Sequence, residues 1–265
     1  MELAVRDVPE MYAEMMIFMR MRGVLEDSRN GPVLTLPDPL TVTVHQPKIR
    51  AYVDPWRHAN PFFHVMEFVW MMSGTRKVEW LAQFNKGMWE YAEDDGEIHA
   101  AYGWRWRKHF FVDQIYQVVE MLKDDPTTRR AVIGMWDASL DIHGGKKDLP
   151  CNTHIYFRIV EGCLNMTVCN RSNDVIWGMT GANAVHMTLL QELMANAIGV
   201  DVGKYRVFTN NAHVYTELDK VQEMLLTTGS HHVSYRCWNH VKLLQSGESL
   251  HDFLYECKVF IDRKS

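Results

Sequence analysis

Asp148-Leu149-Pro150-Cys151 sets a cysteine directly after a proline, at the start of a predicted strand. Arg171-Ser172-Asn173-Asp174-Val175 follows at the end of the next predicted strand. A cysteine is a nucleophile only as its thiolate, and nearby cations favour that form. Arginine and serine are good ligands for phosphate. Together the two segments imply attack by sulfur on a phosphorylated substrate. A carboxylate, Glu67, lies in an otherwise apolar helix-like run, three residues before Trp70. Such a group is costly on an apolar face unless it is paired or functional.

These residues need elements to hold them. Val8 to Met21, rich in Met, Ala and Glu, reads as an amphipathic helix. Arg22 to Pro39 carries Gly, Asn and Pro and reads as a loop, before a short strand at Leu40–His45. Pro61 to Met72 reads as a helix around Glu67. Val112 to Lys123 has apolar residues at a helical period and stops at Asp125-Pro126. Ala131–Trp136, Thr153–Val160, Leu164–Cys169 and Tyr205–Phe208 read as strands. Met179 to Ile198 reads as a long helix ending at Gly199. The mixture is α+β, a sheet covered by helices.

The 265 residues show no linker, repeat or charge block, so one catalytic domain over 1–265 is expected. A hydrophobic content of 47% supplies an ample core. No apolar run is long enough to span a membrane. The first residues lack the form of a secretory signal. The five cysteines are irregularly spaced, without a C-x-x-C pair, which fits a reducing cytoplasm. A net charge of −5 argues against a nucleic-acid polymer as ligand, whereas the local arginines suit a small anion in a pocket. The 13 histidines, His231-His232 included, show no zinc-like spacing, so no metal is expected.

Further segments extend the motif. In chain order they are Ser28-Arg29; Glu67-Phe68-Val69-Trp70 with Ser73-Gly74; Ala101-Tyr102-Gly103-Trp104-Arg105-Trp106-Arg107; Asp125-Pro126 with Arg129-Arg130; Pro150-Cys151; Arg171-Ser172-Asn173-Asp174-Val175 with Gly178; and His213-Val214-Tyr215. In this order and near this spacing they resemble the thymidylate synthases and their relatives, the deoxypyrimidine-monophosphate hydroxymethylases. The resemblance runs from about Arg29 to about Tyr215. It implies a thymidylate synthase-like mixed sheet and a homodimer joined sheet to sheet.

The resemblance also implies roles. Cys151 would add to C6 of a pyrimidine and make C5 reactive toward the one-carbon unit of 5,10-methylenetetrahydrofolate. Glu67 would be the general acid/base, relaying protons through water, and Tyr102 would assist proton removal from C5. Arg29, Arg171 and Ser172 would clamp the phosphate, with Arg129 and Arg130 reaching over from the partner subunit. His213 and Tyr215 would bind the sugar hydroxyl. Asp174, Gly178 and Trp89 would lie on the folate side. Cys163, Cys169, Cys237 and Cys257 read as structural.

The chain departs from thymidylate synthases at several points. Asn152 stands where the family usually has histidine, and Asn173 where it commonly has cysteine. The residue that reads the base, asparagine for uracil or aspartate for cytosine, falls on Ala182 without a gap and on Asn183 with a shift of one. The Arg-Ser-Asn-Asp-Val form resembles the phage hydroxymethylases. Val259 to Ser265 lacks the apolar tail that excludes water in thymidylate synthases. Both features favour water as the final nucleophile and a 5-hydroxymethyl product. The expectation is therefore a cytoplasmic, homodimeric hydroxymethylase of dUMP or dCMP, in the host cytoplasm if phage-encoded. Its rivals are C5 methylation with folate as hydride donor and a non-catalytic nucleotide- or RNA-binding relative.

Overall fold

The computed structural model describes residues 1–50, 59–217, 221, 243–244 and 247–263. His231, His232, Cys237, Lys264 and Ser265 lie outside the described residues. The strands are β1 (Glu2–Val5), β2 (Val24–Ser28), β3 (Gly31–Thr35), β4 (Leu40–Val44), β5 (Val132–Gly134), β6 (Asn152–Val160), β7 (Cys163–Asn170), β8 (Asn173–Asp174), β9 (Asp201–Thr209) and β10 (Ala212–Tyr215). The helices used below are α1 (Val8–Arg22), α2 (Pro61–Ser73), α3 (Gln114–Asp124), α4 (Ala182–Ile198) and α5 (Leu250–Asp262).

Two mixed sheets result. The larger has the order β1-β4-β9-β7-β6-β5 and the smaller β2-β3-β10-β8. Strand alternation in the larger sheet separates its faces. Ile155, Phe157, Leu164, Met166, Val168, Tyr205 and Val207 point into the core, where α4 and α1 also bury their apolar residues. Tyr156, Arg158, Asn165, Thr167, Lys204 and Arg206 line an open groove of about 1020 Å³ on the opposite face.

Local chemistry explains the helix that carries Glu67. Asn60 caps α2 by accepting from the Phe63 N–H at 3.1 Å, and Pro61 suits the first turn. Gly74, with φ of +64°, ends it in the left-handed conformation. The segment read as a loop, Arg22 to Pro39, is instead a β-hairpin whose strands pair from Val24–Thr35 to Ser28–Gly31. Its first strand is exposed throughout, so no buried alternation marks it; pairing of β3 with β10 holds it in place. The predicted helix at Met179 begins later, at Ala182, after a wide helical turn over Val175–Met179 capped by Asp174. No described helix is long and apolar enough to cross a membrane.

Candidate active site

α2 presents Phe63, Glu67, Trp70 and Met71 along one face, at spacings of four, three and one residues, and all line a cavity of about 510 Å³. Tyr102 faces them from a short helical turn. Gly103 makes that approach possible: a Cβ there would stand 1.9 Å from the Met71 carbonyl oxygen. Behind the turn, the fully buried Arg105 grips Asp141 with two bonds of 2.7 and 2.9 Å and donates to the Met135 carbonyl at 2.8 Å. This first arginine of the Tyr-Gly-Trp-Arg-Trp-Arg segment is thus structural, paired as a buried charge must be.

Cys151 enters the cavity from the start of β6, where the register with β7 shifts between Asn152 and His154. A bulge beside a strand end re-aims the neighbouring side chain. The Asn152 backbone N–H donates to Tyr102 Oη at 3.3 Å, which sets the phenol next to the thiol. Asn152 itself is fully buried and donates to the Cys169 carbonyl at 2.9 Å, so it braces the strand behind the nucleophile. Arg171 secures the same loop. Its Nε donates to the Pro150 carbonyl at 2.9 Å, its Nη2 to the Leu149 carbonyl at 3.1 Å, and its backbone N–H to the Cys151 carbonyl at 2.9 Å.

Electrostatics in the cavity follow from burial. Burial pushes the Cys151 thiol up, and the nearby Arg171 only partly opposes this. The cation expected beside the thiol is present, yet it does not win alone. Burial, with the charge of Asp148 second, raises Glu67 to about 8. Burial also raises Asp148 itself, to about 6, against the pull of Arg171, Arg105 and Arg29. Burial keeps the Tyr102 phenol neutral, far above its ordinary range. Tyr102 can therefore hand on a hydrogen bond but not serve as a standing phenolate.

Cys151, Glu67, Tyr102, Asp174, Gly178, Ala182 and Asn183 all line this one cavity. A linked polar rim holds the other candidates. Ser172 Oγ lies 3.4 Å from His213 Nδ1, which is 2.9 Å from Asn211 Oδ1; the His213 and Tyr215 rings meet edge to face at 5.2 Å. Asn30, the neighbour of Arg29 in the β2–β3 turn, donates to Tyr215 Oη at 3.4 Å. Strand β8 pairs with β10 and sets Asp174 opposite His213. Trp89 does not line the cavity: it is 49% exposed, while Met88 and Tyr91 beside it do. Arg129 and Arg130 are exposed and outside the cavity, and Arg129 lines the open groove on the larger sheet. Among the remaining cysteines, Cys257 is buried, whereas Cys163 and Cys169 are half-buried.

Two residues of the site, His186 and His64, escaped the sequence reading, and a third, Asp148, entered it only as part of the cysteine's segment, without a role. His186 lies one helical turn beyond Ala182 and Asn183 in α4, so all share a face toward the cavity. Its Nε2 is 3.0 Å from the His64 carbonyl oxygen and 3.3 Å from Glu67 Oε2. His64 lines the cavity from the α2 side. Asp148, three residues before Cys151, adds a second carboxylate. The helical spacing from Ala182 to His186 was the available signal; a single histidine in an apolar run does not otherwise announce itself.

Comparison with known sequences gives this constellation its relatives. A deoxyuridylate hydroxymethyltransferase of Pseudomonas phage M6 is 46% identical over 218 residues, which are 82% of this chain and 62% of that protein. Proteins of the same name from Bacillus phage SP01 and Delftia phage PhiW-14 are 36% and 32% identical, over 68% and 77% of this chain. The chain spans only 50% and 59% of those two. The family described as thymidylate synthase matches residues 57–255, a stretch holding Glu67, Tyr102, Cys151 and the rim from Arg171 to Tyr215. With mixed sheets, helices and a cysteine-centred cavity arranged in that order, the chain belongs to the thymidylate synthase family.

Proposed function

We propose that this chain is a one-carbon transferase that hydroxymethylates C5 of deoxyuridine 5′-monophosphate, with 5,10-methylenetetrahydrofolate as donor. The observation that carries this reading is the meeting of Cys151, Glu67 and Tyr102 around one cavity, in a chain whose phage relatives bear the name deoxyuridylate hydroxymethyltransferase. Binding alone needs none of the three side chains.

The residues suit each role. Cys151 Sγ adds to C6 of the base, and the charge that develops on the ring makes C5 nucleophilic. Glu67, held protonated at neutral pH by burial, is an acid able to deliver a proton inside the cavity. Tyr102 accepts from the Asn152 N–H and keeps its own proton to share with a water or the base. Arg29, Arg171 and Ser172 offer charge and hydrogen bonds to the phosphate; His213 and Tyr215 offer ring nitrogen and hydroxyl to the sugar. Asp174 accepts from the Trp177 N–H at 2.7 Å and lines the cavity with its carboxylate. With the half-exposed Trp177 and Tyr91 it fits a flat heterocycle bearing N–H groups, as a pterin does. When bound, the folate supplies the one-carbon unit. Tetrahydrofolate would leave, the C5 proton would be lost, water would add to the one-carbon unit, and the Cys151 Sγ–C6 bond would break to give back the thiolate.

The open face of the larger sheet suits a second copy of the chain, and Arg129 and Arg130 would then complete the partner's phosphate site. One catalytic unit over 1–265, acting in the cytoplasm of a host cell, agrees with this reading. Tritium release from C5-labelled dUMP, dCMP and CMP tests it: release that requires folate and is fastest for dUMP is expected. No release from any of the three would contradict it.

A further inference from the structure

The family's base-reading position falls on Ala182, whose methyl group can neither donate nor accept a hydrogen bond. One residue further, the half-buried Asn183 lines the same cavity as Cys151, and its amide is not free to turn. Asn183 Nδ2 donates to Asn173 Oδ1 at 3.2 Å. The anchor is firm. Asn173 is 2% exposed, and its backbone N–H donates to the Asn211 carbonyl at 2.9 Å. Asn173 Nδ2 is buried without a protein partner, so the side chain engages its surroundings through its oxygen.

Gly178 decides which way the Asn173 amide faces. A Cβ at Gly178 would stand 2.5 Å from Asn173 Oδ1 and 3.1 Å from Asn183 Nδ2. The two amides therefore meet over the glycine Cα–H. That contact suits a carbonyl oxygen and crowds an NH2 group. Gly178 thus has a second reason to be glycine: any side chain would push the two amides apart.

We infer, resting on the nucleotide reading above, that Asn173 is a positioning residue that locks the carboxamide of Asn183, and that the locked amide reads the N3–H and O4 edge of uracil in place of residue 182. One N–H of Asn183 Nδ2 is spent on Asn173. Its other N–H and its Oδ1 remain, one donor beside one acceptor. Uracil presents the complement, an N3–H donor beside the O4 acceptor. Cytosine presents the two in reverse, an acceptor at N3 beside a 4-amino donor. An amide free to turn would serve either base; one held a single way round sets donor against donor for the wrong one, which leaves buried polar groups unpaired.

Equilibrium binding of dUMP and dCMP by titration calorimetry tests this without turnover. The wild-type protein should bind dUMP more tightly. Asn173→Ala should shrink that preference by about tenfold or more, mainly through tighter dCMP binding. Asn173→Asp keeps an oxygen for Asn183 Nδ2 and should hold the preference within about threefold of wild type, a rescue that a purely structural role would not give. Asn183→Asp should turn the preference toward dCMP. The lock is overturned if Asn173→Asp loses the preference as fully as Asn173→Ala. The reader is overturned if Asn183→Asp leaves the preference in place, or if the wild-type protein prefers dCMP. Binding of neither nucleotide by the wild-type protein would sink the nucleotide reading itself. Should Asn173→Ala fail to fold, Asn173→Asp still decides the lock, which is overturned if the preference falls more than about threefold, and Asn183→Asp decides the reader.

Discussion

His186 Nε2 stands 3.3 Å from Glu67 Oε2, inside a protein wall that leaves His186 1% exposed. The pair is not an ion pair. Burial lowers His186 to about 3, with the His64 ring as the second cause, and burial raises Glu67 to about 8. Near neutral pH both are uncharged. The imidazole N–H donates to the His64 carbonyl at 3.0 Å, and the ring edge lies against the carboxyl group at 3.3 Å.

The Glu67 shift predicts a pH dependence of stability. Its folded value is raised from 4.5 to about 8, so the folded state binds more protons than the unfolded one between those values. Stability from this group is full below about 4.5 and is lost as pH rises through about 8. Glu67→Gln removes the titration. Relative to wild type, that variant should be more stable at pH 8.5 than at pH 5, by an amount on the order of 1–3 kcal/mol once solvent in the cavity is allowed for. Urea unfolding of both proteins at the two pH values checks the sign. A constant difference would mean that Glu67 titrates normally.

His186→Phe fills the volume and removes the N–H. It removes the ring's hydrogen bond to the His64 carbonyl and its polar contact with the Glu67 carboxyl, at a cost of about 1–3 kcal/mol. In turnover assays kcat should fall while the KM for nucleotide changes little, because the base-binding groups lie elsewhere. His186→Gln, which can still donate, should recover part of kcat. A variant that loses stability with kcat untouched would reduce His186 to a packing role.

Arg171 lowers the Cys151 thiol against burial. Arg171→Met should therefore move the pH midpoint of Cys151 alkylation upward, as read by peptide mass mapping with iodoacetamide. Cys163 and Cys169 serve as internal references. An unmoved midpoint would remove Arg171 from the electrostatics of the nucleophile.

Exposed Arg129 and Arg130, outside the chain's own cavity, predict complementation. A chain carrying Arg129→Ala and Arg130→Ala, mixed with a Cys151→Ala chain, should regain activity, because one heterodimer site holds every residue. Equal inactivity of both parents and the mixture, with subunit exchange demonstrated, would contradict a shared site.

Much of this arrangement was legible in the sequence, for identifiable reasons. α2 and α3 declare themselves through their caps and their period: Asn60 and Gly74 bound the first, and Ile115, Val118, Val119 and Leu122 form the buried stripe of the second. Strands β6 and β7 show in their β-branched and aromatic content. The β2–β3 hairpin stayed hidden because β2 buries nothing, and its place depends on pairing with distant Tyr215 and its neighbours. α5 also went unread, though Ser249 and Asp252 form a capping box at its start. Within the site, motif spacing pointed to Cys151, Glu67 and Tyr102, which line one cavity, and left the base reader between Ala182 and Asn183, which both line it. It could not bring out the Glu67–His186 contact or the Asn173–Asn183 lock, since each joins elements far apart in the local pattern, α2 with α4 in the first and β8 with α4 over Gly178 in the second.

The fate of the one-carbon unit bears most directly on the central claim. The wild-type protein, given dUMP and methylenetetrahydrofolate in 18O-labelled water, should release one product. Mass spectrometry should find 5-hydroxymethyl-dUMP carrying 18O in the new hydroxyl, with no dihydrofolate absorbance, and Cys151→Ser should form none while still binding dUMP. A methylated product free of 18O, formed in step with dihydrofolate, would contradict the account.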